Sequence, residues 1–459
     1  MARRLFSTIA AGAVFVLAVA VACPAGANQM TTMQDTVAST LAYNPTIKAF
    51  QEYRQAAEHD LSRARSGWFP RVDARAGIGM EQWSDSSTRR YHHRNPITER
   101  RGHSQSPRGY YPRSEASLTI SQTIWDGMDT WHRVLIGEGR LASAESRLFD
   151  NAEGLGLDAT LAHIEIFRQR RIVALAELNV QNHKRILASQ HQRYRSGAST
   201  MADVTQTQGR LARTEASLAE SRAALDVAIA NYKRLTGKEP GQVEPPAIPV
   251  NAYPSLESAL AASQTLNLKV KALKSDIATA DNQVELDKAP FHPQIYIEAG
   301  PTYNWQVGSA TTDQGGMVIM LRGNWNLLNG GYDWYNVKAD KARARQIRQE
   351  LNTQLDLLAE EAEATWAQLI SAQEQAKHFA DAVNFSTRTR NMYLEQFNVG
   401  QRSLLDVLDS ENELFSSSIQ LVTAQQNIIA AHYRLLALGG GFLANFGLDR
   451  SALVINTDR

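Results

Sequence analysis

Apolar residues recur every seven positions in two stretches of the chain. Val204, Leu211, Leu218, Leu225 and Tyr232 form one series; Val407, Leu414, Leu421, Ile428 and Leu435 form the other, each 203 residues beyond its counterpart. Sustained sevens predict helices packed along a narrow coiled-coil seam. A longer helix is predicted ahead of each series, joined to it by a Gly turn. Proline is absent from residues 113–239 and 302–459, and glycine from 332–399 and 401–438. A helix over 334–398 would be roughly 95 Å long at 1.5 Å per residue. Its counterpart over 131–195 is interrupted only by isolated glycines, which weaken a helix without forbidding it.

A second pattern has a period of two. Leu118, Ile120, Gln122 and Ile124 face one way and Ser117, Thr119, Ser121 and Thr123 the other, so 117–125 reads as a strand. Residues 71–80 and 294–304 are comparable in length, and 317–327 alternates less cleanly. Trp125, Tyr303, Trp305 and Trp325 stand towards the ends of these segments. Strands of about ten residues with terminal aromatics suit a membrane β-barrel, although soluble hairpins fit the pattern equally. Two hairpins give four strands, and about eight are needed to close a barrel in lipid. Open edges are not tolerated there. If the strands span, copies of the chain must share one barrel.

The two patterns belong to an internal repeat. Trp68-Phe69-Pro70-Arg71-Val72 matches Phe291-His292-Pro293-Gln294-Ile295 at an offset of 223, which also places Asn44 on Asn267. Asp126-Gly127 matches Asn329-Gly330 at 203, and so do Arg195-Ser196-Gly197 with Asn398-Val399-Gly400 and Asp203-Val204 with Asp406-Val407. Each half reads as a helical stretch (33–66 and 256–288) ended by proline, then two strands, then two long helices. The expected divisions are a signal segment at 1–27, a first repeat at 28–249, a second at 250–445 and a tail at 446–459.

Charge changes little in this picture. Lys plus Arg number 48 and Asp plus Glu 47, so nothing global points to nucleic acid. A hydrophobic content of 43% argues against a bundle of membrane helices. Arg3 and Arg4, the apolar run 5–21 and Ala25-Gly26-Ala27 form a secretory signal with a small-x-small cleavage site. The sole cysteine, Cys23, precedes that cut, so disulfides and cysteine metal sites are not expected. In a rival reading, Ala20-Val21-Ala22-Cys23 is a lipoprotein box and Cys23 is acylated. No other segment is apolar enough for a membrane helix, so membrane crossing falls to the strands.

The stretch from Phe397-Asn398-Val399-Gly400-Gln401-Arg402 through Ser403-Leu404-Leu405-Asp406-Val407-Leu408-Asp409 resembles the periplasmic tip of the TolC family of outer-membrane channels. Leu41-Ala42-Tyr43-Asn44-Pro45 and Ile124-Trp125-Asp126-Gly127 resemble other recurrent pieces of that family, in order and in both halves. The resemblance implies a mainly α fold: long antiparallel coiled-coil helices forming an α-barrel, with four β-strands per chain in a trimeric twelve-stranded outer-membrane β-barrel. It also implies docking through a periplasmic adaptor to an inner-membrane pump, either an ABC exporter or an RND-type pump. Arg147-Leu148-Phe149-Asp150-Asn151-Ala152-Glu153 and Asn179-Val180-Gln181-Asn182-His183 look more like the branch serving type I protein secretion. The expected function is a passive exit channel in the outer membrane of a Gram-negative bacterium. Drug efflux is the alternative, and a periplasmic coiled-coil scaffold without a pore is the alternative of another class.

Asp406 and Asp409 lie three apart at a helix start and share a face. Carboxylates there offset the helix dipole. Matched onto the family they form rings at the periplasmic entrance, where they would attract cations. Arg402, Asp203 and Phe397 match positions that latch the entrance, although Ala202 stands where the family often has a hydroxyl. As plain surface charges the pair would contribute little. Gly197 and Gly400 mark the turns, and the resemblance assigns those tips to adaptor docking. The basic loop 81–113 could meet anionic lipopolysaccharide. His92-His93 lies in that loop without a carboxylate or cysteine cluster. His163, His183 and His191 read as packing or surface residues. No phosphate loop, nucleophile elbow or zinc signature is present, so no catalytic residue, metal or cofactor is expected.

Overall fold

The computed structural model describes residues 30–82, 111–305 and 314–454. The signal segment with Cys23, most of the basic loop and His92-His93 lie outside the described residues.

The first repeat comprises α1 (Met33–Tyr43), α2 (Pro45–Arg65), β1 (Arg71–Glu81), β2 (Tyr111–Trp125), α3 (Asp129–Arg195) and α4 (Met201–Thr236). The second comprises α5 (Leu256–Thr265), α6 (Leu268–Leu286), β3 (Gln294–Trp305), β4 (Gln314–Asn324), α7 (Tyr332–Asn398) and α8 (Leu404–Leu438); the short α9 (Phe442–Asn445) follows. Element starts repeat at the spacing read from the sequence: Met33, Pro45 and Arg71 recur 223 residues on, and Tyr111, Asp129 and Met201 recur 203 on. The helical stretch expected over 33–66 is divided into two helices. Asn44 leaves the helical region, its side chain accepts from Thr46 N, and Pro45 opens α2 at a position that needs no N–H donor. Asn267 divides the second stretch in the same way, accepting from Lys269 N and Val270 N. β2 starts earlier than expected, and β4 lies a few residues before the segment 317–327.

The four strands form one antiparallel sheet in the order β1-β2-β3-β4. Next to it, α2, α3, α6 and α7 lie side by side; at the far end the order is α4, α3, α8, α7. α3 and α7 have 67 residues each, about 100 Å, and run the length of both layers. Midway, Val37, Ile47, Leu148, Ala152, Tyr433, Phe442 and Leu443 form a core that ties α9 and the C-terminal segment to α3. Gly156 is one of the glycines of α3. A Cβ there would lie 2.8 Å from the Phe442 ring, so this glycine admits the core aromatic. His163 is fully buried against Thr36 and the Glu244 carbonyl, and burial lowers its pKa. Among the described residues no helix is long and apolar enough to cross a membrane.

Candidate functional site

The sheet register sorts side chains onto two faces. Val72 pairs with Ile120, Ala74 with Leu118 and Ala76 with Ala116. Ile120 continues onto Ala299, which pairs with Ile319, while Ile297 pairs with Leu321 and Pro301 with Met317. Directly opposed residues share a face, so this face is apolar from β1 to β4. Much of it is bare, with Ile78 90% and Ile319 71% exposed. Burying such a surface in lipid removes its cost in water. The other face carries Arg71 on Asp73 at 2.8 Å, Arg113 on Glu81 at 2.9 Å and on Glu115 at 2.7 Å, and Arg322 on Glu298. Apolar outside and ion-paired inside is the pattern of a water-filled membrane barrel. β1 and β4 each have one partner strand among the described residues, so the sheet is an open piece of a barrel.

A helix length away, the two hairpin tips are built alike. Gly197 and Gly400 take φ of +79° and +82°, where a side chain is strained. Ala198 N donates to Arg193 O at 2.8 Å and Gln401 N to Gln396 O at 2.9 Å, closing both helices with the same C-terminal motif. The outgoing helices are capped by hydroxyls. Thr200 receives Asp203 N at 3.3 Å, and Ser403 receives Asp406 N at 3.2 Å. The carboxylates answer: Thr200 N, Thr200 Oγ1 and Ser199 Oγ donate to Asp203, and Ser403 Oγ donates to Asp406 at 2.9 Å. The hydrogen bonds from Thr200 and Ser199 hold the Asp203 pKa below its ordinary value.

Arg402 does not meet Asp203 within the chain. Its guanidinium lies 4.1 Å from the Tyr393 ring centroid and 3.7 Å from Asp406. Phe397 is buried with Ile186, Leu404, Val407 and Leu408 rather than free at the tip surface. Asp409 points to α4, where Arg210 donates to it at 3.0 Å.

Two arginines therefore join the residues read from the sequence. Arg193 donates to the carbonyls of Phe397 at 2.9 Å and Asn398 at 3.1 Å, and stacks 4.3 Å from the Phe397 ring centroid. It adds a charged donor to Phe397 O, which Gly400 N already reaches at 3.0 Å, caps the Asn398 carbonyl beyond it, and ties the first tip to the second. Arg210 ties α4 to α8 through the Asp409 carboxylate instead of a carbonyl. The one signal in the sequence was the place of Arg193 in the last turn of α3, which names no partner, and Arg210, in the body of α4, carried none. Deeper, Glu411 is buried and accepts from Asn182 at 3.1 Å, with Arg390 at 3.6 Å.

A sheet with one lipid face and one aqueous face, continued by helical hairpins about 100 Å long, defines a subunit of an outer-membrane channel that extends into the periplasm. The outer membrane efflux protein family model matches residues 36–238 and 259–441, one match per repeat, and the chain belongs to that family. It is 23% identical to the outer membrane efflux protein BepC of Brucella suis over 337 residues, 73% of this chain and 74% of that one. It is 21% identical to the alkaline protease secretion protein AprF of Pseudomonas aeruginosa over 416 residues, 87% and 82% of the two chains. Among solved structures its fold is similar to CusC (TM-score 0.74, 14% identity, 89% of this chain and 92% of that one). VceC of Vibrio cholerae is similar too (TM-score 0.73, 18% identity, 89% and 96%). The mainly α fold with four membrane strands and the outer-membrane location expected from the sequence are those of this family. Its members are passive channels, neither enzymes nor scaffolds without a pore.

Proposed function

We propose that three copies of this chain close a twelve-stranded barrel and a helical tunnel, and that the assembly is the exit duct of a type I secretion system. The observation that carries the trimer is the open sheet: four strands with a lipid face need further strands, and three copies supply twelve. The likeness to a named secretion protein over 87% of the chain supports a protein cargo. In this reading the tips at Gly197 and Gly400 meet a periplasmic adaptor, which couples the duct to an inner-membrane ABC exporter. Asp406 and Asp409 ring the entrance. Arg402 and Asp203 of neighbouring helix pairs, with Phe397 packed behind, hold it narrow. The likeness to an efflux protein supports a second reading, in which the same duct serves a drug pump of RND type.

Deletion of the chain from its host separates the two. Loss of a large exported protein from the medium, with drug susceptibility unchanged, fits secretion. Raised drug susceptibility with export intact fits efflux. For the entrance, Arg402→Ser should raise the resting conductance in planar bilayers, and an unchanged current removes Arg402 from the latch.

A further inference from the structure

The two repeats differ just below the sheet. α7 opens with Trp334 and then carries Lys338, Lys341, Arg345 and Arg348, spaced so that all five share one stripe of the helix. The equivalent stripe of α3, 203 residues earlier, is Trp131, Leu135, Glu138, Ala142 and Glu145. The tryptophan is common to both and the cations are not, so the fold does not require them.

α6 faces the stripe across a groove of about 360 Å³ lined by Asp281, Asn282, Glu285, Lys341, Arg345 and Arg348. Its acids are already engaged. Asp281 holds Arg348 through two contacts of 2.6 and 2.7 Å, and Glu285 holds Lys288 at 2.5 Å. Lys341 and Arg345 are exposed and have no ion pair or hydrogen bond among the described residues. Lys338 sits 3.4 Å from the Trp334 ring centroid. Trp68, Trp131 and Trp334, all about half exposed, mark the level where the lipid face of the sheet gives way to helix. Exposed tryptophans at such a junction belong at the headgroup level. Lys341 is then one turn and a half to two turns further from the membrane, about 10 Å, and its long side chain reaches back to the lipid surface.

We propose that the groove between α6 and α7 binds the headgroup phosphate of an anionic phospholipid in the periplasmic leaflet, with Lys341 and Arg345 as its ligands. The unpaired cations supply the charge complementarity, and the lipid face directly above supplies the source. Lys338 on Trp334 holds the shoulder of the site at the interface. Basic pockets beside membrane segments recognise anionic lipid in this way.

The test uses the purified full-length assembly in detergent and native mass spectrometry of bound phosphatidylglycerol, phosphatidylcholine and inorganic phosphate. Phosphatidylglycerol should bind in preference to phosphatidylcholine. The double variant Lys341→Gln/Arg345→Gln should weaken it roughly thirtyfold while still forming conducting channels. Arg140→Gln, a charge removed from α3, should leave binding unchanged. Equal phosphatidylglycerol affinity in the wild type and the double variant would overturn the proposal. So would inorganic phosphate displacing the lipid at matched concentration, which would make this a site for soluble anions.

Discussion

Arg210 on α4 reaches Asp409 on α8, Nη2 to Oδ1 at 3.0 Å, and joins the first hairpin to the second. The pair is solvent-exposed, so it contributes at most about 1 kcal/mol to stability. Its larger consequence is electrostatic, because Arg210 neutralises one of the two acids assigned to the entrance. Arg210→Gln should therefore leave thermal stability nearly unchanged and strengthen block by divalent cations severalfold in planar bilayers. Asp406→Asn should weaken the same block. A magnesium titration indifferent to both substitutions would take these carboxylates out of the ion path.

Arg193 is the second tie between the hairpins, and its contacts are of a different kind. It donates to two carbonyls at the end of α7, one of them already bonded by Gly400 N, and covers the Phe397 ring. Hydrogen bonds from a charged donor contribute about 1.5–3 kcal/mol, and here they act on local opening of the tip rather than on global unfolding. Arg193→Ala should speed proteolytic cleavage at the turns by roughly tenfold or more. Arg193→Lys should fall between, since a lysine keeps the charge but loses the planar fork and the stack. Cleavage rates equal to wild type in both variants would show that the tips are held by packing alone.

The contrast between these arginines and the rest of the tip shows what could be read without a structure. Gly197, Gly400 and the hydroxyl–Asp caps lie within a few residues of one another, and local chemistry fixes them. The repeat was legible because element starts keep constant offsets of 223 and 203. Arg193 to Phe397 and Arg210 to Asp409 span about two hundred residues, and no local pattern selects one arginine among many. Strand β4 was the least clear for a physical reason. Val318 and Met320 stand on the charged face of the sheet and Met317, Ile319 and Leu321 on the lipid face, so the strand is apolar on both sides. The breaks at Asn44 and Asn267 were visible as matched residues, but a polar residue inside a periodic stretch does not by itself end a helix.

Asp287 offers a pH-dependent prediction. Burial first, and then the hydrogen-bonded neighbour Asp340, push its carboxyl from the ordinary 3.8 up to about 6, with Gln283 and Arg343 acting in the opposite direction. A carboxyl with a raised pKa in the folded state holds its proton after the unfolded chain has lost it. Stability therefore falls as pH rises from about 3.8 to about 6 and levels off above. Asp287→Asn removes the charge while keeping a side chain that can accept from Gln283. Its melting temperature should rise relative to wild type as pH increases through that window, with the largest gap above pH 7. A gap that narrows with rising pH would contradict the assignment.

The sheet provides the sharpest test of membrane placement. Ile319 lies mid-strand on β4, paired with Ala299, on the apolar face, and is 71% exposed in the single chain. Thr119 lies mid-strand on β2, paired with Asp73, on the face that carries the ion pairs. An arginine at the bilayer midplane costs about 2–4 kcal/mol on the lipid side and little on the water side. Ile319→Arg should reduce the yield of heat-resistant oligomer in outer-membrane fractions, and Thr119→Arg should not. The comparison controls for charge and for strand disruption, since both substitutions place the same residue at a central position. Equal yields would mean that the apolar face does not meet lipid. If Thr119→Arg alone failed, the two faces of the barrel would have to be exchanged.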